Sequence, residues 1–160
     1  MKVVRRVRQF LADQIRQGLS PHEIALTLAV GICLSVPPML GTTTILCALA
    51  AVLLRLNQPL IQAVNVLAYP LQLALLVPFL RAGEWLFRAP HTPLSPARIL
   101  AMGTADPIGT IRSLWTVGWH GAVVWAFASV PAALIVYLVA KPALERLAAR
   151  VRKTEVSRVA

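Results

Sequence analysis

Acidic residues are scarce in this 160-residue chain: six Asp+Glu stand against 16 Lys+Arg, a formal charge of +10. Asp13, Glu23, Glu84 and Asp106 each fall at an expected helix end or interface. No two carboxylates are therefore paired for general acid–base work. Cysteine is limited to Cys33 and Cys47, both inside one apolar stretch. Two such thiols, without CxxC or Cys/His spacing, exclude a disulfide-stapled secreted module and a zinc site. The three histidines, His22, His91 and His120, lie far apart on different elements and form no nucleophile–base arrangement. Charged residues make up only 14% of the chain and hydrophobic residues 58%, against about 25% and about 45–50% in soluble domains. That balance excludes an ordinary soluble enzyme and a disordered tail. No catalysis, metal or cofactor is expected. No signal peptide of normal form is expected either, because the first apolar run begins only at Ile24, behind a polar amphipathic stretch.

The charges that are present are segregated. Residues 24–54, 56–80 and 113–140 contain none, and together these stretches hold 84 of the 160 residues. Such runs identify an integral membrane protein. The excess positive charge sits at the ends, with residues 1–20 and 141–160 each net +4. Basic clusters that flank apolar stretches are juxtamembrane segments beside an anionic leaflet. The expected partners are the lipid bilayer and its anionic lipids, not nucleic acid.

Along the chain, residues 1–19 read as a basic amphipathic interfacial helix, with Val3, Val7, Phe10, Leu11 and Ile15 on one face and Gly18 at its end. Ser20-Pro21-His22-Glu23 is a capping box with proline in the first turn, so a helix starts at Pro21. It meets Pro37-Pro38 after 16 residues, roughly 24 Å of helix against a bilayer core of about 30 Å. The following run to Leu54 is equally short. Residues 21–54 are therefore one long kinked span or a proline-broken hairpin with its tip near Gly41. Arg55-Leu56-Asn57-Gln58-Pro59 is a turn. Residues 59–87 are a transmembrane helix kinked at Pro70 and Pro78, with Trp85 and Phe87 in an interface belt and Arg81, Glu84 and Arg88 as ion-pairing neighbours. Residues 88–112 are an external loop with short helices opening at Ser95-Pro96 and Asp106-Pro107. Residues 113–140 are a second transmembrane helix, anchored by Trp115, Trp119 and Tyr137 and closed by Lys141-Pro142. Residues 142–160 form a basic cytoplasmic tail.

Charge selects between the two readings of residues 21–54. A single crossing puts nine Lys/Arg on one side and seven on the other. A hairpin puts twelve on one side (five N-terminal, Arg55 and six C-terminal) and leaves four opposite, Arg81, Arg88, Arg98 and Arg112. The positive-inside rule prefers the hairpin, with both termini cytoplasmic. The rule does not distinguish a re-entrant hairpin from two full spans. The expected fold is a single all-α integral membrane domain over 1–160: a proline-broken helical hairpin plus two transmembrane helices, with amphipathic basic helices at both ends.

Ser20-Pro21 with Ile24-Ala25, Gly31, Pro37 to Gly41 followed by threonines, Arg55-Leu56-Asn57, Asn65 with Tyr69-Pro70, and Gly83-Glu84-Trp85-Leu86 occur in a characteristic order and spacing. Over roughly residues 18–150 the chain resembles a bacterial membrane family catalogued as domain of unknown function 2062. The resemblance implies a multi-pass protein of the bacterial inner membrane and no particular activity. Many members carry Asn-Pro followed by Thr where this chain has Tyr69-Pro70-Leu71-Gln72.

Two polar features interrupt the apolar stretches. Gln58, Gln62, Asn65, Tyr69 and Gln72 fall on one helical arc, and amides facing lipid are costly. Thr42, Thr43 and Thr44 follow Gly41 at the start of a half-helix, where free N–H groups favour an anionic group. The short link from Arg55 to Pro59 makes the two features neighbours. They are expected to form one polar site, either for a lipid or small anion in transport or as mutual interhelical glue. Gly118, Ala122 and Ala126 present a small-residue face for close helix packing, within the chain or in a homo-oligomer. The functional readings are transport or handling of a lipid or small anion, or a non-catalytic scaffold docking a partner or anionic lipid through its basic ends.

Overall fold

Local chemistry fixes most helix ends. In the computed structural model, which describes residues 2–39, 41–91, 101–102 and 104–159, α1 runs Lys2–Arg16. Gly18, at φ +97°, turns the chain in a conformation that L side chains resist. α2, Pro21–Leu34, opens on the capping box. The Ser20 hydroxyl accepts from the Glu23 N–H at 3.2 Å, and the Glu23 carboxylate accepts from the Ser20 N–H at 2.8 Å. The backbone bond from Ser20, then the bond to its hydroxyl, hold the Glu23 carboxyl below the usual carboxylate range. Ser20→Ala should lower stability by about 1 kcal/mol, read as a lower thermal midpoint in detergent. A depressed carboxyl contributes only while ionised, above its unfolded pKa of about 4.3. The deficit should therefore shrink as pH falls through the acid range.

Prolines 37 and 38 cannot continue α2, and the chain reverses through Gly41, at φ +91°, into α3, Thr43–Leu53. The two helices fold back on each other as a hairpin. The Ser35 hydroxyl lies 3.8 Å from the Cys47 sulfur, and Leu26, Val30 and Leu34 pack on Cys47 and Ala51. Asn57 then caps α4, Gln58–Leu67, by accepting from the Leu60 N–H at 2.8 Å. α5 is Tyr69–Leu86 and α6 is Pro107–Val159. Asp106 caps α6 by accepting from the Gly109 N–H at 2.9 Å. The described residues form helices and connecting turns with no strand. The expected helix opening at Ser95-Pro96 lies outside the described residues.

Two expected elements differ. The single kinked helix over 59–87 is two helices, α4 and α5, meeting at 61°. Pro70 supplies no N–H in the first turn of α5, so the ladder is cut at Ala68, whereas Pro78 stays inside α5. Conversely, Lys141-Pro142 does not close a helix at residue 140. α6 runs 53 residues through Pro131 and Pro142, roughly 80 Å, so the basic tail is its last third. Pro142 removes one backbone bond, but Tyr137, Ala140 and Leu144 pack on the core on both sides of it and hold the helix together.

α6 is the strut that α1, α2 and α5 pack along, and α3 and α4 are attached to it through α2. α2 runs antiparallel along it. His22 Nδ1 and the Tyr137 hydroxyl share a hydrogen bond of 2.8 Å, and the Trp125 indole N–H donates to the Cys33 carbonyl at 2.9 Å. The latter bond satisfies one of the carbonyls left open at the end of α2. Ile24, Ala25, Leu60, Val64 and Leu144 form the core where α2, α4 and α6 meet, and Leu11, Ile15 and Leu19 of the α1 segment close over it. α1 therefore packs on the C-terminal third of α6.

The small-residue face expected to make the close contact is displaced. A Cβ on Gly118 would meet nothing, and Ala126 is exposed. The backbones approach instead at Gly83 and Gly121, where a Cβ on Gly83 would stand 2.6 Å from the Gly121 nitrogen.

Much of the outer surface is apolar. On α3, Ile45, Leu49, Val52 and Leu53 are exposed, Leu53 to 78%; on α6, Phe127 (77%), Val130, Leu134, Ile135, Leu138 and Val139 are exposed. α6 is the one described helix long and apolar enough to cross a membrane, and α4 with α5 passes the same test if the bent pair counts as one span. α2 and α3, at 14 and 11 residues, fall short of the roughly 20 that a straight span needs.

Candidate functional site

The hairpin tip and the amide stripe meet. The α3–α4 connection is only four residues long, so the two helices lie side by side in opposite directions. The Gln58 amide donates to the Ala48 carbonyl at 3.0 Å, and Gln62 donates to the Thr44 carbonyl at 3.3 Å. Asn65 Nδ2 donates to the Thr44 hydroxyl at 3.3 Å. Beyond the bend, Gln72 donates to the Pro37 carbonyl at 3.1 Å, and its side chain is almost fully buried. Thr44 and Asn65 are thus in direct contact, as the shared-site expectation requires.

The arrangement differs from the expected one in three respects. Tyr69 points away and is 54% exposed, because the chain breaks at Ala68 and Tyr69 starts the next helix on another face. Thr43 is buried, but the stripe meets its neighbour Thr44. Thr42 uses its hydroxyl on the Met39 carbonyl at 3.0 Å and gives α3 no side-chain cap. The contacts of Gln58, Gln62, Asn65 and Gln72 run from side-chain amides to groups of the hairpin. Chemically this is a zipper of side-chain amides on hairpin acceptors: Asn65 and Gln72 are buried in it, whereas Gln58 and Gln62 are half-buried and Thr44 is exposed. Gln72→Leu leaves the Pro37 carbonyl buried without that donor. It should cost about 1–3 kcal/mol, measured as loss of folded protein on thermal challenge in detergent.

With this geometry in place, comparison with known proteins is informative at one level. Residues 4–153 match the profile of a family described as an uncharacterized protein conserved in bacteria, DUF2062. The chain belongs to DUF2062. No curated protein and no solved structure matches it.

In this DUF2062 chain a second polar cluster lies at the far end of α5. Glu84 is 1% exposed. Its carboxylate accepts from Arg81 Nη1 at 2.7 Å and lies 3.0 Å from His91 Nδ1. The ion pair was expected from the i,i+3 spacing of Arg81 and Glu84. The partner from beyond the helix is His91 rather than Arg88, because α5 ends at Leu86 and Arg88, at φ +50°, turns the chain back. His120 of α6 lies against the end of α5. Its ring stacks on Phe87, with centroids 4.3 Å apart, but its Nδ1 is buried without a hydrogen-bond partner. No sequence signal marks these long-range pairings. Among the described residues no group of three His, Cys, Asp or Glu is placed to hold a metal ion.

Proposed function

We propose that this DUF2062 protein is a non-enzymatic, multi-pass protein of the bacterial inner membrane whose basic end docks the anionic cytoplasmic leaflet. One observation carries the reading: α1 packs on the C-terminal third of α6, so the two basic ends of the sequence are gathered at one end of the fold. The exposed apolar side chains of α3 and α6 support the membrane setting, since a soluble monomer rarely leaves such a band uncovered. In this reading the termini and Arg55 are cytoplasmic and the segment from about Gly83 to Arg112 is external. The α2–α3 hairpin enters from the cytoplasmic side, and the amide zipper lies at membrane depth. Basic residues beside an anionic leaflet contribute about 1 kcal/mol each.

The test is lipid selectivity in nanodiscs of phosphatidylcholine with a minor share of phosphatidylglycerol. The parent should enrich phosphatidylglycerol in its boundary layer, less so at high salt. Replacing Arg146, Arg150, Arg152 and Lys153 by Gln should abolish most of that enrichment. Equal enrichment in both proteins rejects the reading. Reporter fusions after Gln58 and after Pro96 should fall on opposite sides of the membrane, and the same side for both rejects the topology.

Transport of a lipid or small anion through the polar site is the second reading, favoured by the contact of Thr44 with Asn65 at the hairpin tip. It requires the zipper to exchange partners. Asn65→Leu decides: a structural zipper loses about 0.6 kcal/mol and keeps its phenotype at full abundance, whereas a transport site loses function at full abundance.

A further inference from the structure

Charge alone does not decide whether the α2–α3 hairpin re-enters or crosses the whole apolar core. Its register against α6 bears on the choice. Three pairings tie α2 to α6. His22, at the start of α2, shares its hydrogen bond with Tyr137. Cys33, near the end, accepts the Trp125 indole N–H on its carbonyl and donates its thiol to the Ser129 carbonyl at 3.4 Å. Pro38, just beyond the end, reaches Gly121, where a Cβ would stand 3.1 Å from Pro38 Cγ. Each step forward along α2 is matched by an equal step back along α6, so one antiparallel register holds from Tyr137 to Gly121. The limits of the apolar band are marked on α6 itself. Lys141 Nζ lies 5.9 Å from the centroid of the Tyr137 ring at one limit. Trp119 and Trp115 are exposed at the other, and such side chains settle at the head-group level. The exposed apolar side chains from Phe127 to Val139 lie between them. Gly121 is twenty residues from Lys141, roughly 30 Å of helix, which is about the thickness of a bilayer core. Pro38 is therefore a full core thickness away from Lys141.

The backbone of the tip gives an independent observation. Ser35, Val36, Pro37 and Pro38 follow α2 and are buried, and the Pro37 carbonyl accepts from Gln72. Non-helical backbone at membrane depth is tolerated when it is enclosed by protein in this way. Gly41 and Thr42, where the chain reverses, are exposed. An exposed turn does not face hydrocarbon.

We infer that the α2–α3 hairpin crosses the bilayer core completely, so that the exposed face of α3 meets acyl chains and the tip at Gly41–Thr42 lies at the outer head-group boundary. Ile45, Leu49 and Leu53 are the side chains that lipid covers, and Arg55 closes the face at the cytoplasmic side. Helices as short as α2 and α3 suffice because the segment between them supplies the remaining rise. The tip then joins the ends of α5 and α6 in one outer platform, since Gly121 is approached by Leu80 as well as by Pro38. This inference rests on the membrane reading above and adds that residues 21–54 form two spans.

The experiment uses the full chain in spheroplasts, with four single substitutions at exposed positions: Thr42→Cys at the tip, Leu49→Cys midway along α3, Thr104→Cys in the external segment and Lys153→Cys on the basic tail. The native Cys33 and Cys47 are buried, so the parent chain supplies the blank. A membrane-impermeant maleimide is applied from outside, and the thiols left over are then counted with a biotin maleimide after denaturation. The first reagent should remove most of the later signal from Thr42→Cys and Thr104→Cys and none from Leu49→Cys or Lys153→Cys. If Thr104→Cys and Lys153→Cys behave in this way but Thr42→Cys keeps its full signal, the hairpin re-enters; the inference is overturned and the topology stands. Blocking of Leu49→Cys overturns the assignment of the α3 face to lipid. The mirror pattern, with Lys153→Cys blocked and Thr104→Cys spared, rejects the orientation, and Thr42→Cys siding with Thr104→Cys there still upholds the crossing. Blocking of none of the four overturns both readings.

Discussion

Gly83→Val should separate α5 from α6 and leave little folded protein. The Cβ of any residue at 83 would stand 2.6 Å from both the Gly121 nitrogen and the His120 carbonyl carbon. These are backbone atoms of a helix packed along its length, so they cannot swing aside as a side-chain tip does. Even Gly83→Ala forces the helices apart by a sizeable fraction of an ångström, and overpacking of this kind costs about 1–3 kcal/mol, occasionally more. Valine adds two methyl groups to the same clash. Gly118→Val is the control, because a Cβ there meets nothing within 4 Å. Thermal unfolding in detergent should show a large drop for the first variant and little change for the second. If Gly118→Val disturbs assembly while leaving the monomer stable, that face meets a second copy of the chain. Equal stability of Gly83→Val and the parent would remove the helix contact on which the placement of α5 depends.

What was legible in the sequence is chemistry that acts over a few residues. Ser20 and Glu23 are three apart and can only satisfy each other at a helix start, so the α2 boundary followed from residue type. Asn57 before Gln58-Pro59 and the double proline before Gly41 are local in the same way. The meeting of Thr44 with Asn65 was legible because a short link left the helices no alternative neighbour. Proline was the ambiguous signal. The same ring that severs the chain at Pro70 is absorbed at Pro78, Pro131 and Pro142, and only at Pro142 does packing on both sides account for it. Residue type alone does not separate the four. Gly83 and Gly121 are isolated glycines on different helices, with no period to link them. The regular series Gly118, Ala122 and Ala126 drew attention to a neighbouring face. His91 and His120 acquired their surroundings from chain reversals between residues 87 and 91 and from the α5–α6 contact, both of which are tertiary events.

Arg81→Met should be the second severe substitution, and its severity should depend on pH. Glu84 is buried to 1% exposure in the turn of α5 that touches α6, next to Gly83. A carboxylate held there must be neutralised by donors close at hand, and Arg81 Nη1 at 2.7 Å is the shortest contact among those described. Methionine keeps most of the stem volume and removes the cation, so the loss is electrostatic rather than a cavity. Removing one partner of a buried pair costs about 3–5 kcal/mol. The Arg81 side chain is 40% exposed, so solvent already screens part of the attraction, and the lower part of that range is expected. His91 Nδ1 lies 3.0 Å from the same carboxylate oxygen and 3.1 Å from Arg81 Nη1, so it stands beside the guanidinium and remains there in the variant. Acidification neutralises the carboxylate, which then needs no cation: the gap in stability between Arg81→Met and the parent should narrow as pH is lowered through the acid range. Thermal midpoints of the parent and the variant across that range read the gap. A gap of constant size at every pH would mean that Arg81 contributes packing alone and that the Glu84 carboxylate does not depend on it for charge.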